Sequence, residues 1–170
     1  MVIKNNKGNE ITVKAVKRIL DHEGLQIVDN ANIYFNGKKI GYYQENYNCG
    51  PSRIEYDEKY KKEIDEIAEN FLKIYPNGID NKKYKFSLKE LYEDNLIELL
   101  CIELCKLEDW RKSALKTFKK GYKYFVISRK SDRHYDEKWS IPTDMLLTEH
   151  KRDNICVFIA KDEDSFNIYV

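Results

Sequence analysis

No run of about 18 apolar residues occurs in this sequence, which is the length a membrane-spanning helix needs, so no span is expected. The first ten residues, MVIKNNKGNE, hold no apolar h-region, and no secretory leader is expected of them. The cysteines Cys49, Cys101, Cys105 and Cys156 lack the spacing of a disulfide framework, which points to a reduced, cytosolic setting. Charge of one sign is missing too: 30 Lys and Arg stand against 29 Asp and Glu, a formal net charge of +1. No global field therefore draws nucleic acid or an acidic substrate, and electrostatic arguments rest on local patterning. A P-loop, a Gly-rich dinucleotide fingerprint and a serine nucleophile elbow are all absent, and no cofactor is implied. Neither an internal repeat nor a low-complexity linker stands out.

What the chain does have is charge and core-forming side chains together. It is 42% hydrophobic and 35% charged, against about a quarter charged in an average domain. Its 170 residues suit a single domain over 1–170, with submodules at 1–80 (hairpin and helix) and 81–170 (long helix and C-terminal strands).

Along the chain, ITVKAVKRILDHEG places Val13, Val16, Ile19 and Leu20 on one helical face, with Gly24 as the C-terminal cap. GLQIVDNANIYF reads as extended. Asn36-Gly37 suits a two-residue type I′ turn, whose central residues both need positive φ. The simplest register sets Phe35 opposite Lys38, Ile33 opposite Ile40 and Ala31 opposite Tyr42. Ile33, Phe35, Ile40 and Tyr42 then share one face, and Tyr34, Gly41 and Tyr43 the other. RIEY can add a third strand. Tyr60, Ile64, Ile67, Ala68, Phe71, Leu72 and Tyr75 recur at helical spacing, between Asp57 as cap and Pro76-Asn77-Gly78 as stop.

Ser87 with Glu90 is a capping-box pattern that opens a long helix, apolar on more than one face; the helical pattern runs on to Gly121, as one helix or as two with a break near Leu107–Asp109. YKYFVISRK reads as a strand, and a short helix is expected near Pro142. NICVFIA and FNIYV read as a hairpin joined by KDEDS. KDEDS lacks the twelve-residue calcium-loop pattern and is a turn. The fold class is α+β, with antiparallel β-sheet(s) carrying hairpins packed on two or three amphipathic helices.

Charge is segregated inside the second half. Glu90, Glu93, Asp94, Glu98, Glu103, Glu108 and Asp109 face a single Lys106. After Trp110 come Arg111, Lys112, Lys116, Lys119, Lys120, Lys123, Arg129, Lys130 and Arg133, against Asp132 alone. Interleaved with Trp110, Phe118, Tyr122 and Tyr124, these bases form a candidate binding surface for phosphates and unpaired bases. Acids toward a helix start and bases toward its end also match the helix dipole, and that reading gains weight if one helix covers both blocks. Complementary patches of this kind equally mark a protein partner.

Candidates for chemistry are few. Cys49 in YNCGPS would need a base and an oxyanion donor, and no spacing ties His22, His134 or His150 to it. Cys101 and Cys105 share a helical face, but no further soft ligands are signalled, so no metal is assigned. Asp132, Arg133, His134, Asp136 and Glu137 contain the residue types of a metal-dependent nuclease or hydrolase, without a paired-carboxylate spacing; a solvated loop explains them as well.

Residues 31 to 75, including IYFNGKKIGYYQENYNCGPSRIEYDEKYKKEIDEIAENF, resemble the N-terminal module of small uncharacterised proteins of phages and integrative elements in Firmicutes. The likeness lies in a strand, an NGK-x-IGY hairpin, a Gly-containing loop and a helix. Tyr47-Asn48-Cys49-Gly50 departs from the Gly-Asn-Gly-Gly loop of that pattern. The resemblance implies a mobile-element accessory protein, a setting that includes inhibitors of host defence such as anti-CRISPR proteins; it carries no catalytic motif. The leading expectation is a non-enzymatic binding protein whose partner is a host protein or ribonucleoprotein complex. The alternatives are RNA or DNA binding through 111–133 and the hydrolase around Asp132–Glu137. Tyr34 and Tyr43 are a possible hairpin contact face.

Overall fold

In the computed structural model, Asn36 and Gly37 both take positive φ, 47° and 77°, as a type I′ turn requires. The structure describes residues 1–20, 26–46, 52–79, 87–129 and 137–170, with side chains except at 18–20, 26–29 and 46. The turn joins β3 (Gln26–Phe35) to β4 (Lys38–Asn46). Phe35 lies opposite Lys38 as the turn chemistry demands. Beyond that the simple register fails. A bulge sets Ile33 opposite Gly41 and Ala31 opposite Tyr43, with Ile40 as the inserted residue. One extra residue exchanges the faces of everything after it. Tyr43 therefore turns inward and is 1% exposed, while Tyr42 faces out.

A second bulge explains the first stretch. Residues expected to be helical form β2 (Glu10–Leu20). Ile11 and Val13 alternate as a strand's inner positions and are buried. The register then slips between Lys14 and Lys17, where Ala15 has φ 54°. That slip produces the three-residue step from Val13 to Val16 that mimics helical periodicity. The β-branched content of ITVKAV favours the pleated surface, and pairing with β3 from Ile11–Phe35 to Leu20–Gln26 fixes it.

With β1 (Ile3–Lys4), β5 (Arg53–Tyr56) and β9 (Ile168–Tyr169), these strands make a six-stranded sheet in the order β5-β4-β3-β2-β1-β9. Every pairing is antiparallel except β1 with β9. FNIYV thus does not return on NICVFIA as a hairpin. KDEDS and a 3₁₀ turn at Asp164–Phe166 instead carry the chain from one sheet to the other.

Asp57 caps a 3₁₀ turn (Glu58–Tyr60) by accepting from the Lys59 amide. This leads into α1 (Lys61–Ile74), which buries Ile64, Ile67, Ala68, Phe71 and Leu72. The large side chains among them contribute about 1.5–3 kcal/mol each on burial. Gly78, at φ 76°, lies past the helix end as expected.

Ser87 and Glu90 complete a capping box on α2 (Leu88–Leu91), but this helix is one turn long. The break falls at 92–95, and α3 (Leu96–Lys119) then runs without interruption through 107–109. Leu107 is fully buried there, so the packed core carries the helix across the charged Glu108-Asp109 pair. The expected central buried helix is this one.

Three strands, β6 (Tyr124–Arg129), β7 (Glu137–Ile141) and β8 (Ile155–Ala160), form a second sheet in the order β7-β6-β8. Helix α4 (Asp144–Asp153) starts after Pro142, capped by Thr143. Phe125 and Ile127 join the main core with α3, whereas Tyr124 and Val126 pack with Leu147 of α4. Covered on both faces, β6 is apolar without alternation. The layers run six-stranded sheet, α1 and α3, three-stranded sheet, α4. The fold is α+β, with four helices and two antiparallel-dominated sheets among the described residues.

Candidate binding face

Strand alternation leaves the six-stranded sheet with one face on the helices and one that no element among the described residues covers. Ile11, Val13, Ala31, Ile33, Phe35 and Tyr43 belong to the core with α1 and α3. The register fixes what faces out. One cross-strand row reads Lys17, Asn30, Gln44, Arg53, and the next Lys14, Asn32, Tyr42, Glu55. A third holds Thr12, Tyr34 and Lys39. Toward β1 the face adds Lys4 and Glu10, which pair across the strands.

Cations sit over both outward tyrosines. Lys14 Nζ lies 4.6 Å from the Tyr34 ring centroid, and the Arg53 guanidinium 5.7 Å from that of Tyr42. Arg53 also donates to Glu55 at 2.6 Å, and that bond raises the guanidinium's pKa. Lys14, Lys17, Lys39 and Arg53 thus face Glu55 alone in the central rows. Beside them the bulge at Ala15 opens a shallow groove of about 520 Å³, lined by Ala15, Lys17, Asn30, Asn32, Lys39 and Tyr42.

Of the two hairpin tyrosines singled out in the sequence, only Tyr34 is on this face. Tyr43 is core, and its hydroxyl donates to Glu45 Oε2 at 2.5 Å, where Ser52 also donates at 2.6 Å. Tyr43 is scaffold because the bulge at Ile40 turned it inward. Sequence reasoning missed Tyr42, Lys14, Lys17, Lys39, Arg53 and the amide side chains. The strict alternation Asn30, Asn32, Tyr34 in NANIYF was the signal available for part of the face.

The basic segment is divided among several jobs. Trp110 is 6% exposed and its ring packs on Phe158 at 5.3 Å, which in turn meets Phe166 at 5.1 Å. It joins α3 to β8 and offers no open stacking platform. Arg111 donates to Glu108 at 2.7 and 3.0 Å and also pairs with Glu163. Lys112 donates to the Val16 carbonyl at 3.2 Å, which ties α3 to the β2 bulge. Lys123 pairs with Asp144, lowering that carboxyl's pKa. Lys116, Lys119 and Lys120 are exposed around the last turn of α3, and Arg129 is partly buried at the end of β6. One helix carries both Glu98 near its start and Lys116 and Lys119 at its end, so dipole matching accounts for that part of the charge layout. Lys130 and Arg133 lie outside the described residues, as do Cys49, Gly24, Asp132, His134 and Asp136.

Glu137 begins β7. Cys101 and Cys105 are both buried in α3, and burial pushes the Cys101 thiol well above its usual pKa. Among the described residues no group of three or more His, Cys, Asp or Glu could hold a metal ion, and no helix is long and apolar enough to cross a membrane. His150 Nε2 lies 2.8 Å from Ser128 Oγ, with Asn154 near Nδ1 at 3.4 Å and Trp139 against the ring at 5.0 Å. Ser128 is 1% exposed, so this pair joins α4 to β6 and presents no nucleophile to solvent. Comparison of the chain with protein-family models, with curated proteins and with solved structures finds no match.

Proposed function

We propose that this chain acts by binding, as a phage or mobile-element protein in the bacterial cytoplasm that occupies a host defence protein or ribonucleoprotein complex in the manner of an anti-CRISPR. The observation that carries the binding role is the open outer face of the six-stranded sheet. It sets Tyr34 and Tyr42 among Lys14, Lys17, Lys39 and Arg53 and puts a groove beside the Ala15 bulge. Tyrosine and arginine are residue types enriched at contact surfaces. The mobile-element setting rests on the resemblance of residues 31 to 75 and is an association.

The test is affinity capture from bacterial lysate paired with phage plating on hosts carrying defined defence systems. Wild type is expected to retain a defence component and to restore phage growth, and Tyr42→Ala with Lys39→Glu is expected to lose both. No specific partner together with no protection of phage from any defence system removes the proposal.

A second reading, nucleic-acid binding through 111–133, is favoured by one observation: Lys116, Lys119 and Lys120 are exposed together at the end of α3. Steep salt dependence that vanishes on reversing these lysines supports it.

A further inference from the structure

We propose that the outer face of the six-stranded sheet takes a single-stranded nucleic acid, with Tyr34 and Tyr42 stacking bases and Lys14, Lys17, Lys39 and Arg53 meeting phosphates. This rests on the reading that the chain acts by binding through that face, and it names the occupant.

Three features favour this chemistry. The first is charge: in the central rows four cations stand against Glu55, which Arg53 already engages, while Lys4 and Glu10 offset each other toward β1, on a chain whose total is only +1. Protein interfaces deplete lysine around their aromatic centres, and here the lysines surround the tyrosines. The second is spacing. Asn32 pairs with Tyr42 and Tyr34 with Lys39, so the tyrosines are diagonal neighbours on adjacent strands, about 7–8 Å apart. That separation suits two unstacked bases of an extended strand. Paired bases inside a duplex present no free face to side chains that project from a sheet, whereas unpaired ones can be splayed and stacked. The third is hydrogen-bonding capacity: Asn30, Asn32 and Gln44 lie on the same face and supply the donors and acceptors that base edges and a 2′-hydroxyl use.

The cations already above the rings fit the same picture. Lys14 over Tyr34 and Arg53 over Tyr42 are cation–π contacts at the surface, individually weak. An entering base displaces or sandwiches the cation, which is then placed for the adjoining phosphate.

The experiment is fluorescence anisotropy with labelled mixed-sequence oligonucleotides of about 12 nucleotides, as single-stranded RNA, single-stranded DNA and duplex, at rising salt from about 50 mM. Single strands are expected to bind at least about tenfold tighter than duplex, with RNA and DNA compared to show whether the 2′-hydroxyl is read. Tyr34→Leu and Tyr42→Leu should each weaken binding by about 5- to 100-fold. The triple variant Lys14→Gln, Lys17→Gln, Lys39→Gln, at surface positions that leave the fold intact, should lower the salt slope by about 2. Lys116→Gln, Lys119→Gln and Lys120→Gln together should change affinity less than about threefold. Absence of single-strand binding at the lowest salt, duplex bound as tightly, or affinity that follows the α3 lysines overturns the proposal. A defence protein captured by wild type and lost in the Tyr42 variant, with no oligonucleotide bound, keeps the binding role and removes nucleic acid as the occupant.

Discussion

The carboxylate of Glu103, inside the core at 2% exposed, accepts a hydrogen bond from the backbone amide of Ile79 at 2.9 Å. Its other oxygen accepts from Lys106 at 2.8 Å. The side chain on α3 thus holds the segment that leaves α1. It also explains the glycine there, since a Cβ on Gly78 would sit 3.0 Å from Glu103 Oε1. Glu103→Ala should cost about 3–5 kcal/mol, because it breaks a buried charged pair and orphans a buried amide. Glu103→Gln keeps an acceptor for Ile79 and should cost about 1–3 kcal/mol. Urea denaturation orders the variants. Equal losses for Ala and Gln show that the amide contact contributes nothing separate from the charge.

Gly41 makes a tighter constraint on the hairpin. A Cβ there would lie 2.0 Å from the Glu55 carbonyl oxygen and 2.7 Å from the Tyr56 Cα, both backbone atoms. Gly41→Ala can be accommodated only if β5 moves, at a cost of about 1–3 kcal/mol or more. Hydrogen exchange should show lost protection across the Tyr43–Ile54 and Gly41–Tyr56 pairs, with β2–β3 pairs still protected. Wild-type protection of β5 in that variant contradicts the steric account.

These two bulged strands also show how far the sequence can be read. Local chemistry was legible: the Asn36-Gly37 turn, the Asp57 cap, the Ser87–Glu90 box and the amphipathic face of α1 all stand where their residue types demand. The α+β class followed from them. What the sequence hid was non-local. Nothing in KKIGYY announces that Ile40 is an inserted residue, and with that slip Tyr42 and Tyr43 exchange faces. The slip at Ala15 made a strand look helical. The pairing of β9 with β1 brings together the two ends of the chain, and no local pattern encodes it. All of the outer face but Tyr34 therefore escaped notice, because a face is legible only once its register is known.

His150 gives the fold a titration in the mildly acid range. Burial lowers its pKa from the ordinary 6.5, and the carboxylates of Asp153 and Glu137 oppose that shift only in part. The unfolded chain therefore binds the proton more readily than the folded one. The α4–β6 contact is fully stabilising above about pH 6.5, weakens as pH falls below it and levels off under the folded pKa. The difference in stability between wild type and His150→Gln, followed by chemical denaturation from about pH 7.5 to 5, should shrink as pH falls. A constant difference across that range shows that the imidazole is not held neutral by the fold.

The lysines at the end of α3 separate dipole matching from ligand binding. Lys116 and Lys119 lie in the last turn of a 24-residue helix, where a cation faces the partial negative charge of the free carbonyls. Lys116→Glu and Lys119→Glu should each lower Tm by about 1–3 °C at low ionic strength, and salt should erase most of that loss. Neutral Lys→Gln versions should lose about half as much, since they remove attraction without adding repulsion. A loss of this size, with oligonucleotide affinity unchanged, assigns the basic end to helix stability and leaves the sheet face as the binding surface. Unchanged Tm with lost affinity assigns the same lysines to the ligand and overturns the sheet face as the nucleic-acid surface.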